Sequence, residues 1–375
     1  MIYILLTWLL APIWWPISLL REIAAREPRR ILVVEIAGIG DVVCSTHLLK
    51  QLRQRYPDAR IDLVIDPIVA SFSPLLTMVD NTICFHYAAQ KGLMGRLRFA
   101  RLCIDYDTGF SLIPGAAQLT GFCLAAMPRR LSVLPSPIKT SYRFLQPLLT
   151  GYAVHAPGEF FVKTQGKLFS LLGLINPDCT KWLPPSVNTQ SIGLDPSAIH
   201  VGLLVSSGRQ LKRVSPENLA DIIIAILALQ SLRPIKVVLI GGPGDRALAD
   251  NLLSLLHANH QARIVNAVGE YSLAELPTLL SQLSVFVGVD SGVTHMADAL
   301  QIPVVCIAGP VDLGEVYLPG ATRVFLKTSL PCYPCSTVFD APATCRMGNL
   351  ACLKKLMSED VGRSVSILLK LERQA

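Results

Sequence analysis

Apolar positions along the chain fall into short blocks whose spacing switches between two periods. Ile31 to Ile36 (ILVVEI) reads as a buried strand, a glycine turn with Gly38, Gly40 and Asp41 follows, and apolar positions then run through Leu48, Leu49 and Leu52. Near the other end, Val285, Phe286, Val287 and Val289 form a second buried run, with Val293, Met296, Ala297 and Leu300 at i, i+3, i+4, i+7 behind it. Both stretches predict strand, turn, helix. The same reading places further strands near Ile61 and Leu102, a helix near Phe161 to Leu172, a second strand–helix series from about His200 to Val324, and a closing helix over Ser358 to Leu371. Leu183 to Ala198, rich in Pro, Ser and Asn, reads as a linker. Strands alternating with helices in both halves predict an α/β protein of two doubly wound, Rossmann-like domains. The expected divisions are an apolar segment at 1–27, a first domain at 28–182, the linker at 183–198, a second domain at 199–350 and a C-terminal helix within 351–375.

The two turns carry the polar chemistry. Asp290, Ser291 and Gly292 place backbone N–H groups and the positive end of a helix dipole at the C-terminal edge of a strand, an arrangement that can hold a phosphate. Thr294 and His295 fall in the first helical turn. The plainer reading of the same residues is an Asp/Ser cap on a core helix. Asp41 lies at the mouth of its turn, where a helix N-terminus favours an ionised carboxylate, and it fits either a general base or a helix cap. Cys44 and Ser45 stand where a dinucleotide fingerprint would need its third glycine, so a nicotinamide site is poorly supported.

Taken together these stretches resemble glycosyltransferase family 9, the ADP-heptose:lipopolysaccharide heptosyltransferases and their relatives. ILVVEIAGIGDVVCSTHLLKQLRQRYPDARIDLVID is similar to the family's opening strand, glycine–aspartate turn, helix and strand. KRVSPENLADIIIAI, from Lys212, is similar to its lysine-bearing helix start, and VVLIGGPGD, from Val237, to the strand and turn that follow. YSLAELPTLLSQLSVFVGVDSGVTHMADAL is the strongest match. The chain departs from the family pattern at His47, where proline is usual, and at Val214, where tryptophan is usual.

The resemblance implies a GT-B arrangement, with acceptor on the first domain and sugar nucleotide on the second across a cleft. It implies inverting transfer of a heptose from ADP-heptose to a lipopolysaccharide-core or related acceptor. Asp41 would be the base and Lys212 the cation that neutralises the leaving diphosphate. Ser207, Gly208, Gly241, Gly242, Asp245, Asp290, Ser291, Gly292, Thr294 and His295 would form the nucleotide-sugar site, and Gly40 and His47 the acceptor side. No metal is required for that chemistry. Two other readings are a nucleotide-sugar 2-epimerase of similar two-domain fold and a catalytically inactive membrane-bound relative.

Composition adds a membrane-facing end. Charged residues make up only 16% of the 375, mean hydropathy is +0.46, and the net charge is +7, which together favour an anionic lipid surface as partner. Lysines and arginines form no stripe interleaved with aromatics, which argues against nucleic acid. Ile2 to Leu20 carries no charge, holds Trp8, Trp14 and Trp15, is broken by Pro12 and Pro16, and is followed by Arg21, Arg26, Arg29 and Arg30. With no cationic region before it and no small-residue cleavage site after it, it does not read as a signal peptide. An interfacial or re-entrant anchor, a true span, and a segment folded onto the enzyme all fit the pattern. Each leaves the body on the cytoplasmic face of the inner membrane, associated through residues 1–20.

Among ten cysteines, Cys332, Cys335, Cys345 and Cys352 form C-x2-C-x9-C-x6-C in a proline-bearing loop, a set that would suit a structural zinc or iron; free thiols and a disulfide are the alternatives. The other six sit among apolar residues and are expected in the core. Asp105-Tyr106-Asp107 spells D-x-D, a metal–nucleotide motif elsewhere, but its position fits a turn at the end of a strand.

Overall fold

The computed structural model describes residues 2–24, 27–86, 92–173, 178–184 and 193–371. The chain divides into two compact units, Met1–Trp182 and Leu183–Ala375. Of the expected linker, residues 185–192 lie outside the described residues, as do residues 372–375 of the C-terminal segment.

The first unit is built on six parallel strands, β1 (Arg30–Glu35), β2 (Arg60–Ile65), β3 (Asn81–Cys84), β4 (Thr108–Ser111), β5 (Arg129–Pro135) and β6 (Gly151–His155). Their order is β3-β2-β1-β4-β5-β6, with Ile31 paired to Ile61 on one side and Thr108 on the other. The second unit repeats it with β7 (Ile199–Leu204), β8 (Ile235–Ile240), β9 (Ile264–Asn266), β10 (Val285–Val289), β11 (Val304–Ile307) and β12 (Arg323–Leu326), ordered β12-β11-β10-β7-β8-β9. The central strands are buried almost throughout because helices cover both faces of a parallel sheet. In each unit the order reverses at one place, between β1 and β4 and between β7 and β10. Chains leave those two neighbours in opposite directions and open a crevice at their C-terminal ends.

Two sequence expectations change. Leu102 is not in a strand but in the helix Gly92–Cys103, which buries Gly95, Phe99, Ala100 and Cys103 at helical spacing. Asp105 to Asp107 therefore precedes strand β4 instead of ending a strand. Its role is structural: Asp107 Oδ2 accepts the N–H groups of Arg29 and Arg30, each at 2.9 Å, while Oδ1 accepts from Thr108 Oγ1 at 2.8 Å. One carboxylate thus fixes the start of β1 beside the start of β4.

Residues 2–24 form two helices, Ile2–Leu9 and Ala11–Ala24, meeting at a 64° bend. Among the described residues no single helix is long and apolar enough to cross a membrane, though this bent pair passes on length and composition together. Ile4, Thr7, Ala11, Trp14 and Ser18 are buried, one helical stripe of mostly small or polar side chains. Ile2, Leu5, Leu9, Ile13, Ile17, Leu20 and Ile23 face outward. The pair is inverted relative to an ordinary surface helix.

The inner stripe is bonded into the first unit. Trp14 Nε1 donates to the Thr7 carbonyl at 3.0 Å, and Ser18 Oγ donates to the Met127 carbonyl at 3.1 Å. Arg130, 4% exposed, stands 5.3 Å from the centre of the Trp14 ring and donates to Ser18 Oγ at 2.6 Å and to the Leu148 carbonyl at 2.7 Å. Arg21 spreads its guanidinium over the carbonyls of Ala125, Ala126, Ile104 and Tyr106 at 2.8–3.3 Å. A charged donor serving four carbonyls contributes more than a neutral hydrogen bond. Arg21→Ala should therefore lower the stability of the protein by about 2 kcal/mol in urea denaturation. A tethered tail making no such bonds would leave the midpoint unmoved.

Candidate functional site

The crevice of the second unit gathers the strongest polar cluster. Strand β10 ends at Val289 and the helix Gly292–Ala299 starts three residues later. Ser291 caps that helix, its Oγ accepting the Thr294 N–H at 3.3 Å. Thr294 Oγ1 donates to the Val289 carbonyl at 2.6 Å and lies 3.0 Å from Ser291 Oγ. Both hydroxyls are spent on shaping the turn. Gly288 is required beneath them, since a Cβ there would stand 2.9 Å from Thr294 Oγ1 and from the Phe286 ring.

Asp290, 6% exposed, accepts an ion pair from Lys212 Nζ through Oδ2, and His295 Nε2 lies 3.1 Å from Oδ1. Burial alone would push this carboxyl up, but His295 and Lys212 reverse the effect and hold it far below the ordinary carboxylate range. His295 in turn stacks on Tyr317, with ring centres 4.5 Å apart and planes 12° from parallel. Tyr317 is a member of the site that sequence reading missed, because it comes from a different segment, after β11. Asp290 is thus a poor partner for phosphate but a good support for cations.

Lys212 ends a short 3₁₀ turn, Gln210–Lys212, that follows β7. Arg209 and Arg213 flank it, and Arg213 Nε donates to the Ser207 carbonyl at 2.9 Å. Ser207 is nearly buried, while a Cβ on Gly208 would meet open space. Lys212 and Asp290 come together because β7 and β10 are the two strands bordering the crevice. The turn after β8 lies one strand further out. There Asp245 Oδ2 accepts the Gly242 N–H at 2.9 Å, and a Cβ on Gly241 would stand 2.8 Å from Val205. That carboxylate serves as a helix-start clasp.

The first unit uses the same clasp at its own crevice. Asp41 Oδ2 accepts the Gly38 N–H at 3.0 Å in the first turn of the helix Ile39–Arg55, and Asp41 and Gly40 are both partly exposed. Behind Asp41 lies Glu35, wholly buried at the end of β1, whose Oε2 accepts from Ser45 Oγ at 3.1 Å. Ser45 also meets the Asp41 carbonyl at 2.9 Å and Gln165 Nε2 at 3.3 Å. Burial first, then the charge of Asp41, push the Glu35 carboxyl well above its usual range, so it is a neutral acid beneath the expected base. The signal in sequence was a lone carboxylate inside an apolar strand.

The structure turns His47, expected on the acceptor side, into the interior. It is 1% exposed on the inner face of its helix, with Nδ1 2.8 Å from the Cys44 carbonyl, and burial pushes its pKa down to about 4. The helix buries Ser45, Thr46 and His47 in succession, so the residue following this polar pair packs inward with it.

The four-cysteine loop does not fit a metal. Cys332, Cys335, Cys345 and Cys352 are near enough for the charges of their neighbours to raise Cys335 and Cys352, burial being the first cause in each. Cys345 is lowered instead, by backbone N–H groups led by that of Leu350. Among the described residues no three or more His, Cys, Asp or Glu side chains converge as a ligand set. None of the ten cysteines, all of them among the described residues, is joined in a disulfide. Of the six others, Cys44, Cys103, Cys123 and Cys306 are buried as expected, whereas Cys84 is exposed and Cys179 only half-buried.

Residues 223–341 match the model of glycosyltransferase family 9 (heptosyltransferase). The chain is similar to lipopolysaccharide heptosyltransferase 3 of Escherichia coli K12, 23% identical over 292 residues, covering 73% of this chain and 80% of that protein. It is also similar to lipopolysaccharide heptosyltransferase 1 of Pseudomonas aeruginosa PAO1, 36% identical over a 64-residue stretch that spans 17% of this chain and 18% of that relative. Among solved structures, the E. coli ADP-heptose lipopolysaccharide heptosyltransferase II superposes with a TM-score of 0.66 at 18% identity, covering 91% of this chain and 98% of that one. The shared fold is two α/β units.

Two outcomes follow from the buried acids. A carboxyl raised by folding binds protons in the native state, so it makes the protein lose stability as pH rises above the ordinary value of 4.5. Glu35→Gln should therefore melt with the parent near pH 4 and progressively above it towards pH 8; parallel melting curves across that range would contradict a neutral Glu35. Asp290 has the opposite sign, its stabilisation being present above its ordinary 3.8 and lost only in strong acid. Asp290→Asn leaves Lys212 without its buried counter-charge and should cost about 3 kcal/mol in chemical denaturation at neutral pH.

Proposed function

We propose that this chain is a member of glycosyltransferase family 9, an enzyme that transfers a heptose from ADP-heptose, with inversion, to a lipopolysaccharide-core or related cell-envelope acceptor. The observation that carries the reading is the Lys212–Asp290–His295 cluster at the crevice of the second unit. A diphosphate leaving group needs positive charge that is already in place. Asp290 holds the Lys212 ammonium at the mouth of the crevice, Arg209 and Arg213 stand on the same turn, and the N-terminus of the helix Gly292–Ala299 adds its dipole. The ADP moiety named for the similar E. coli structure matches this requirement.

In the reaction, Asp41 accepts the proton of the acceptor hydroxyl as its oxygen attacks the anomeric carbon from the face opposite the diphosphate. The carbon–oxygen bond to the diphosphate breaks, the bonding pair leaves with ADP, and Lys212 balances the growing charge. Glu35 lies buried behind Asp41, and burial and the charge of Asp41 push its own carboxyl well above the usual range. The body of the enzyme works on the cytoplasmic face of the inner membrane, held there through residues 1–20. The outward apolar face of Ile2, Leu5, Leu9, Ile13 and Leu20 supports that placement, because such a surface gains free energy only where water is displaced.

Asp41→Asn should reduce turnover by about 10²–10⁴ while ADP binding by calorimetry stays near the parent value. Lys212→Ala should weaken ADP more than AMP, because only the diphosphate reaches for the ammonium. Equal losses for the two nucleotides would remove Lys212 from the leaving-group role, and near-normal turnover in Asp41→Asn would remove Asp41 as base.

A further inference from the structure

A groove of about 480 Å³ runs in the first unit between the helix Ile2–Leu9 with its following bend and the helix Gly92–Cys103. Leu6 and Leu10 line it on one side and Leu97, Ala100 and Ile104 on the other. Four of these, Leu6, Leu10, Leu97 and Ile104, are 39–52% exposed, so the apolar walls stand open to water. A soluble surface rarely leaves a concave apolar channel of this size unfilled. Two cations line the same groove. Arg96 is fixed there, with its guanidinium 4.3 Å from the centre of the Tyr3 ring and 3.2 Å from Thr120 Oγ1, and Arg101 is exposed.

We propose that this groove holds one acyl chain of an anionic, phosphate-bearing lipid, with Arg96 and Arg101 at its headgroup. The inference rests on the membrane placement proposed above and adds to it a discrete lipid site. Two features select this occupant. The groove shares the helix Ile2–Leu9 with the outward apolar face, so a lipid chain can pass from bilayer to groove without crossing water. Arginines beside an apolar channel complement a molecule that is anionic at one end and aliphatic at the other. A peptide helix would place polar backbone ends against these walls without using the two charges in this way.

The test uses the full chain and a phosphatidic acid carrying a diazirine in one acyl chain, dilute in phosphatidylcholine vesicles, with crosslinked peptides mapped after photolysis. Label is expected in residues 93–104 as well as in 3–10. Leu97→Trp, or Leu6→Trp from the opposite wall, should fill the groove and cut labelling of 93–104 by about tenfold, a loss of roughly 1.4 kcal/mol in affinity, while cosedimentation with vesicles is unchanged. Arg101→Gln should erase the preference for phosphatidic acid over a zwitterionic probe of the same chain. Label confined to outward residues such as Leu5, Leu9 and Ile13, or label in 93–104 that neither tryptophan reduces, would overturn the site. If the parent does not sediment with vesicles, the membrane placement fails, and the same probe in detergent micelles decides the groove separately: label in 93–104 upholds it, and none overturns it.

Discussion

The ion pair between Lys212 and the buried Asp290 is the contact that organises the crevice of the second unit. A carboxylate with 6% exposure is costly to ionise unless cations meet it, and a lysine on a 3₁₀ turn of three residues has little else to fix its position. Each group solves the other's problem. His295 completes the arrangement by approaching the second oxygen, and Tyr317 holds the imidazole flat. The result is a positive charge prepared in advance at the edge of β7 and β10, where the fold opens a crevice for reasons of strand order alone.

Both units use a carboxylate three residues after a glycine to start a helix, Gly38 with Asp41 and Gly242 with Asp245. The likeness of the two clasps makes the difference behind them instructive. Glu35 and Ser45 lie behind Asp41, an acid kept neutral within a hydrogen-bonded polar group. Asp245 follows a glycine pinned by Val205. The clasp is a structural device in both places; what differs is the polar surrounding that can turn one carboxylate to chemistry.

The first twenty-four residues join two environments through one pair of helices. Their inner stripe, with Trp14 and Ser18 held by Arg130, belongs to the core of the first unit. Their outer stripe of isoleucines and leucines stands exposed as an apolar surface. Removing the segment would therefore strip the buried Arg130 of its Ser18 partner and uncover part of the core, which couples any membrane attachment to the folding of the unit that carries Asp41.

Periodicity and turn chemistry determined much by themselves. The continuous apolar runs of β1 and β10, the glycine turns behind them and the helices after those turns are local features, and local spacing suffices to read them. Asp41, Asp290 and His295 stood out at two strand–turn–helix junctions, whereas Lys212 was singled out by the family resemblance. What the sequence could not decide depended on which face a helix turns inward. His47 is buried and Leu102 helical because packing against the sheet outweighs residue type. In sequence the N-terminal segment left anchor, span and folded element open; the contacts of Ser18, Arg21 and Trp14 with carbonyls and with Arg130, more than a hundred residues away, appear only in the fold. Likewise, the neutral state of Glu35, the stacking of Tyr317 on His295 and the groove beside Arg96 arise from segments distant in sequence, and only their approach in space gives each one its environment.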